Sequence, residues 1–301
     1  MTLTRFPFRA MAAGHELLLG GADEGVLAHA AQAAIADVAR IETKYSRYRD
    51  DSVTTRINRG AGGPAIAIDA ETAALLRYAD ACHTQSGGLF DLTSGVLRAA
   101  WDFKATPPAL PTSDALAAAI ARIGWRDVEW DDRQVRLRRA GMELDFGGIG
   151  KEYAADRVAT LCIEAGVPHG CANLGGDVRV WGSRPDGSPW RIGIRHPRRE
   201  GAAIVGVDVH DGALATSGDY ERFIEVDGHR YCHILDPRTG MPVTAWQSLS
   251  VVAPLAVVAG SYATIGMLLG MQAPAVLAAA GLRWLGVDAD GALRDSATAA
   301  A

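Results

Sequence analysis

No cluster of lysine and arginine stands out in this 301-residue sequence, and thirty basic against thirty-five acidic residues leave a formal charge of −5. Binding along a nucleic acid is dominated by a basic surface that displaces counterions, so DNA and RNA are set aside as partners. There is no Cys-x-x-Cys pair either. Cys82, Cys162, Cys171 and Cys232 are widely scattered, which argues against a structural zinc site and leaves reduced thiols in or near the core as the expectation. An unbroken apolar run of membrane-spanning length is missing as well. The stretch from Ser248 to Leu269 is interrupted by Pro254, Gly260 and Gly266 and carries its β-branched residues early, so it reads as a strand followed by a helix, with no membrane span. The opening MTLTRFPFRAMAAGHELLLGG has a short apolar run without a small-residue cleavage pattern behind it, so no signal peptide is expected and the cytoplasm is the expected location.

What is present is ordinary globular material, 49% hydrophobic and 22% charged, in a chain long enough to bury a large core. No repeat, low-complexity linker or composition shift divides it. One domain over residues 1–301 is expected, with a tail from about residue 290, above all Ala297 to Ala301, that frays.

Apolar and alanine positions recur at helical spacing from Ala22 to Tyr45, and Asp50-Asp51-Ser52 breaks the pattern as a polar turn. Further helices are expected over Ala70–Thr84, Ser113–Ile123, Gly150–Ala165 and Val257–Leu269. The segment VEWDDRQVRLRRAGMELDF alternates apolar and polar residues about two turns, as antiparallel strands do. Strands are also expected at Asp177–Trp181, Trp190–Ile194, Ile204–Val209, Leu249–Val252 and in a hairpin from Phe223 to Cys232 about Asp227-Gly228, with a short helix and strand running to Val287. Strands and helices come in mixed blocks, which points to an α+β fold and away from a doubly wound parallel sheet.

Four glycine-containing clusters combine backbone freedom with a polar partner: SGGLFD (Ser86–Asp91), LDFGGIGK (Leu144–Lys151), NLGGD (Asn173–Asp177) and ATSGD (Ala215–Asp219). In LDFGGIGK the glycines precede a helix that starts near Lys151, where exposed N–H groups and a lysine favour a phosphate or pyrophosphate. The pattern is neither a Walker A loop nor GxGxxG. Asn173, Thr216 and Ser217 add short donors and acceptors suited to phosphates, ribose hydroxyls or a heterocycle edge. His233, in YCHILDPRTGMP, could act as an acid or base near neutral pH or contact a phosphate. Each of these also has a plainer reading, as a turn or a packed residue.

Taken in order, the segments KYSRYRDDSVTTRIN, GGLFDLTSGVL, ELDFGGIGKEYAADRV, NLGGDVRVWG, PDGSPWRIGIRHP, ATSGDYERF and HILDPRTGMPV resemble the ApbE family, from Met11 to Gly270. These are flavin transferases, which move FMN from FAD onto a Thr or Ser of an acceptor protein and release AMP. The resemblance implies an α+β fold of mixed and antiparallel sheets, with FAD held between two closely packed halves and magnesium at its pyrophosphate. It implies an FAD site at Met11, Tyr48, Leu89, Phe90, Asp91, Asp145, Lys151, Thr216, Ser217, Gly218 and Leu235, with Tyr48 and Phe90 near the ligand's rings. His233 would be the catalytic residue, with Asp236 as a candidate to orient it. Metal ligands would be the Gly148 carbonyl and Thr264.

One departure stands out. The family pattern Ala-Asp-x-x-x-Thr supplies a magnesium-ligating Asp, whereas here the segment is Ala259-Gly-Ser-Tyr-Ala-Thr264 and Gly260 takes that place. Magnesium prefers hard oxygen ligands that include a carboxylate, so its binding would be weakened or completed by another group, Asp177 and Asp219 being candidates. Two other activities stay open: hydrolysis of FAD to FMN and AMP, and binding of FAD without turnover. The sequence does not specify the acceptor protein, a flavinylated redox subunit being one candidate.

Overall fold

The computed structural model describes residues 2–297. It opens with a hairpin of β1 (Thr4–Ala10) and β2 (Ala13–Gly20), whose turn residues Met11 (φ 48°) and Ala12 (φ 60°) are both left-handed. That geometry matches the twist of the flanking strands but costs roughly 1–2 kcal/mol per non-glycine residue. Helices α1 (Glu24–Tyr45) and α2 (Val53–Arg59) follow, then β3 (Ile66–Ala67), α3 (Ala70–Gln85), α4 (Ser113–Ile120), β4 (Val128–Trp130) and β5 (Gln134–Leu137). The second half holds α5 (Gly150–Glu164), β6 (His169–Leu174), β7 (Asp177–Trp181), β8 (Trp190–Arg195), β9 (Ala203–Val209), β10 (Gly212–Gly218), β11 (Phe223–Val226) and β12 (His229–Cys232). It ends with β13 (Trp246–Ala253), α6 (Ala256–Leu269), α7 (Ala273–Ala279), β14 (Arg283–Asp288) and β15 (Leu293–Asp295).

Eight strands form one antiparallel sheet in the order β1-β2-β6-β7-β10-β13-β14-β15, and three small sheets (β3-β5-β4, β8-β9 and β11-β12) surround it. The architecture is α+β, as the blocks of strand and helix pattern require. Every residue of β7 is buried, because α5 and α6 cover one face of the sheet while the β8–β9 ribbon packs Trp190 and Val209 against Val178 and Val180 on the other. The main core lies between the sheet and α1, α5 and α6, with the small β3-β5-β4 sheet adding Val128, Val135 and Leu137. The outer edge strand β1 carries Pro7, paired opposite Glu16.

Three expectations need correction. Met142 to Phe146 is not a strand: the Asn58 side chain accepts from Leu144 N at 2.7 Å and donates to Leu144 O at 3.0 Å, satisfying the backbone that a neighbouring strand would have bonded. The residues after Asp51 are not only a turn, since Ser52 accepts from Thr55 N at 2.9 Å and starts α2. The chain from residue 290 does not fray as expected, because Leu293–Asp295 pairs with β14. The rest of the expected tail, Thr298 to Ala301, lies outside the described residues.

The stretch Ala256–Ala279 is long and apolar enough, by length and composition, to cross a membrane. It is two helices broken at Gly270 (φ 58°), and α6 packs its Ala256, Ala259, Gly260 and Ala263 face inward against α5, β10 and β13, as a core helix does. The four cysteines are free, and burial raises their thiol pKa values, to about 12 for Cys162 and Cys171.

The indole of Trp181 lies over Gly170, its cross-strand partner, and donates to Val167 O at 3.1 Å. A Cβ at Gly170 would overlap that ring. Gly170→Val is therefore expected to destabilise the fold by about 1–3 kcal/mol, seen as a Tm several degrees lower in a thermal melt; an unchanged Tm would contradict this packing.

Candidate active site

Alternation along β7 sets the site's frame. Side chains of a strand point alternately to the two faces, so Asp177, Arg179 and Trp181 all meet the helical layer. Asp177 pairs with Lys151 Nζ at 2.6 Å, in the first turn of α5, and Arg179 lies 3.4 Å from Asp156, one and a half turns further along. Asp156 in turn accepts from the first N–H groups of α6, Ala256 N at 2.8 Å and Val257 N at 2.9 Å. One carboxylate thus fixes α6 to α5 and β7.

The strand β10 runs antiparallel to β7, so Gly218 lies at the same end of the sheet as Asp177. Ala213, Ala215 and Ser217 share the helix face, and the two small alanines let α6 come close. Ser217 Oγ lies 2.9 Å from Thr264 Oγ1 on α6. Two tight turns meet at this end of the sheet. Gly175 (φ 64°) and Gly176 (φ 101°) close the β6–β7 hairpin, with Asn173 Oδ1 accepting from Gly176 N at 2.9 Å. A Cβ on Gly175 would meet Ala13, His15 and Lys151 at 3.6–3.8 Å, so the turn at Met11–Ala12 and the start of α5 are its neighbours.

No side chain caps α5, which leaves its first N–H groups for an anion. Lys151, one of three lysines in the chain, is held protonated there: burial works against its charge, but Asp177 and Glu152 outweigh burial and raise its pKa. Glu152 is 8% exposed and its Oε2 has no hydrogen-bond partner among the described residues. Burial and the neighbouring Asp177 push its carboxyl up to about 8, against the pull of Lys151.

The imidazole of His233 has Nδ1 3.2 Å from the Arg222 carbonyl. A carbonyl only accepts, so Nδ1 carries the proton and Nε2 the lone pair. Burial lowers the His233 pKa below 6.5, helped by the Arg222 and Lys151 charges, while the Arg222 carbonyl opposes them. Arg47 binds Asp145, lies 5.0 Å over the Tyr48 ring and donates to Tyr48 Oη at 3.0 Å. Together with Arg222 and Arg98 it depresses the Tyr48 pKa. The site therefore gathers paired cations, Arg222, an imidazole nitrogen with its lone pair available and several short hydroxyls at one end of the sheet.

The sequence profile described as the ApbE family matches residues 11–285. The chain belongs to the ApbE family. A Treponema pallidum (strain Nichols) protein named FAD:protein FMN transferase is 34% identical over 249 residues, which is 77% of this chain and 68% of the relative. A Salmonella typhimurium (strain LT2) protein of the same name is 31% identical over 235 residues, 75% of this chain and 67% of its own. The crystal structure of the ApbE protein from Thermotoga maritima MSB8 superposes with a TM-score of 0.92 at 30% identity, covering 99% of this chain and 98% of that one. The flavin transferase ApbE of Vibrio cholerae gives 0.85 at 26% identity, covering 97% and 96%.

Within this ApbE fold the expected residues divide. Met11, Lys151, Ser217, Gly218, His233 and Thr264 gather at the sheet end just described, and Tyr48 stands 79% exposed beside the Asp145–Arg47 pair. Phe90 is only 5% exposed and its ring packs 3.4 Å from where a Cβ on Gly148 would be, so it supports the LDFGGIGK turn and offers little ring face to a ligand. Leu89 is buried too, and Asp91 accepts from Thr93 N and Oγ1 as a helical cap. Asp145 likewise accepts from Gly147 N at 2.9 Å. Thr216 and Ser217 do not form a loop: both lie in β10, and Thr216 bonds Ser250 of β13 at 2.8 Å on the opposite face from Ser217. Leu235 sits in a bridge with Pro242.

Two candidates change role. Asp236 binds Arg238 at 2.7 Å, and the orienting contact to His233 comes from the Arg222 carbonyl. Asp219 is taken by both Arg198 nitrogens, at 2.7 and 2.6 Å, so it is not available to a metal. No group of three or more His, Cys, Asp or Glu side chains is arranged to hold a metal among the described residues. Arg47, Glu152, Asp156 and Arg222 were missed; only their places inside the matching segments could have marked them. A surface hollow of about 410 Å³ near Trp130 and Arg136 contains none of these groups.

Replacing Asp156 by Ala would leave the α6 N–H groups and Arg179 without their shared acceptor. A loss of about 1–3 kcal/mol is expected, and a smaller one for Asp156→Asn, which keeps one acceptor oxygen. Denaturant unfolding of the two variants against the parent measures the difference, and equal stabilities would remove Asp156 from this role.

Proposed function

We propose that this chain is an FAD:protein FMN transferase. The observation that carries the reading is His233: its Nδ1–H is fixed by the Arg222 carbonyl and its Nε2 lone pair is free, in a cluster that also holds the half-buried cation Lys151. An uncapped helix start, a lysine and an arginine suit a diphosphate; an exposed tyrosine beside them suits a flat ring.

In the reaction, the FAD pyrophosphate lies against the first turn of α5, Lys151 and Arg222. The hydroxyl oxygen of an acceptor Thr or Ser forms a bond to the FMN-side phosphorus while the bond from that phosphorus to the bridging oxygen breaks. The hydroxyl proton passes to His233 Nε2, and AMP departs with the bridging oxygen. Lys151 and Arg222 balance the charge that accumulates on the phosphoryl oxygens, and the fixed sheet end supplies alignment, the two requirements of phosphoryl transfer. The acceptor is a protein presenting an accessible Thr or Ser; its identity is set by surfaces outside this chain.

A magnesium ion fits the oxygens present. The Ser217–Thr264 hydroxyl pair and a buried carboxylate oxygen without a partner, that of Glu152, lie on elements that pack together, and hard cations take such donors. The Gly148 carbonyl and Thr264 would hold it, and when bound it would neutralise pyrophosphate charge.

Incubation with FAD, magnesium and a candidate acceptor domain should produce an acceptor heavier by the mass of FMN less water, together with AMP. Free FMN and AMP with no mass gain would mean hydrolysis, and FAD bound without AMP release would mean a carrier. His233→Ala is expected to slow transfer about 10²–10⁴-fold, the usual contribution of a positioned base, with FAD affinity changed little. Because the His233 pKa is lowered, Nε2 is free at neutral pH and is protonated only as the pH drops below 6.5. The kcat/KM profile should therefore fall on its acid side with a midpoint below 6.5, and a profile with no acid limb there would exclude His233 as the base.

A further inference from the structure

Gly260 and Glu152 occupy one space. A Cβ on Gly260 would come within 2.5 Å of Glu152 Cγ and 2.9 Å of Glu152 Oε1, closer than real atoms pack. A side chain at residue 260 and the Glu152 carboxyl in its present position therefore exclude each other: the α5 side chain fills the place from which a residue on α6 would have projected. Gly260 and Thr264 are four apart on α6 and so share one face. The Glu152 carboxylate accordingly lies on the side of α6 that carries the Thr264 hydroxyl and its partner Ser217, and α6 also packs against the Phe146–Gly148 turn.

This carboxylate lacks the partners that burial demands. Glu152 is more than nine-tenths buried, and its Oε2 is without a hydrogen bond among the described residues. Lys151 is already engaged by Asp177 at 2.6 Å, so two adjacent carboxyl groups share one ammonium, and Glu152 can carry its own charge only at a cost that a bound cation would offset. Burying an uncompensated charge is costly, and a buried polar oxygen with no partner calls for a ligand. The hydroxyl oxygens of Thr264 and Ser217 on that side of α6 are donors that suit a hard divalent cation.

We infer that Glu152, reaching across from α5 over Gly260, is the protein carboxylate of the divalent-cation site in this chain. The anionic ligand has moved from one helix to the facing one, and glycine at 260 is the room it needs. The inference rests on the flavin-transferase reading, since the cation it describes serves the FAD pyrophosphate.

The test is Mn²⁺ binding to the full-length FAD-loaded protein, followed by the paramagnetic resonance signal of free Mn²⁺, with FAD affinity measured separately in EDTA by flavin fluorescence. Glu152→Gln, which keeps shape and removes the charge, should bind FAD in EDTA like the parent but hold Mn²⁺ about tenfold or more weaker, since even a residue that merely orients a ligand is worth about 10–100-fold. The double variant Glu152→Gly with Gly260→Asp, which returns the carboxylate to α6, should recover Mn²⁺ affinity to within a few-fold. Glu152→Gln with parental Mn²⁺ affinity would overturn the inference, as would a folded, FAD-binding double variant that fails to recover it. Absence of saturable Mn²⁺ binding by the FAD-loaded parent would overturn it too. Failure of the parent to bind FAD in EDTA would instead bring down the transferase reading and this inference with it.

Discussion

Asp156 ties together the three elements that carry the chemistry. Its two oxygens hold the first amides of α6, while Arg179 of β7 approaches from the sheet. Helix starts usually find their acceptor in the residue just before the first turn; here the cap comes from the middle of a different helix, so α6 cannot slide along α5 without losing two hydrogen bonds at once. Gly260, Thr264 and, through it, Ser217 take their positions from that fixed point. The same alternation of β7 that brings Arg179 to Asp156 brings Asp177 to Lys151, so the clamp and the cationic corner are two turns of one pattern.

The corner is built from small residues as much as from charged ones. Ala213 and Ala215 on the sheet and Ala259, Gly260 and Ala263 on α6 allow a close approach, and closeness raises the strength of every charge interaction by excluding water. Lys151 stays protonated, Glu152 is pushed toward its neutral form and His233 is held neutral, each for a cause found within a few residues. A diphosphate meeting this corner would encounter fixed dipoles and charges in place of mobile solvent.

Much of this is legible in the sequence itself. Periodicity places α1, α3, α5 and the strand Asp177–Trp181 within two residues of where they lie, because their burial patterns are strong and their neighbours are local. The ApbE segments locate the sheet end where Lys151, Ser217 and His233 meet. What escapes depends on partners far away in sequence. Leu144 looks like strand until Asn58, 86 residues earlier, satisfies its backbone. Thr216-Ser217-Gly218 looks like a flexible turn, yet it is central sheet whose small side chains admit α6. Asp219 looks like a free carboxylate, and only the fold shows that Arg198, 21 residues earlier, occupies it; Asp236 is taken by its near neighbour Arg238. Glu152 gives no signal of its own, since its meaning arises from the glycine that faces it on another helix.

The large sheet is open, not closed into a barrel, and an open sheet invites growth from its outermost strand. On β1 that row of amides is broken at Pro7, which has no hydrogen to give, and fringed by Arg5 and Arg9. An additional strand laid alongside would meet a missing rung and the exposed side chain of Arg9, Arg5 being paired with Glu16 of β2. Polymerisation through this border is thereby discouraged, and the catalytic end of the sheet is spared from being buried inside a fibre.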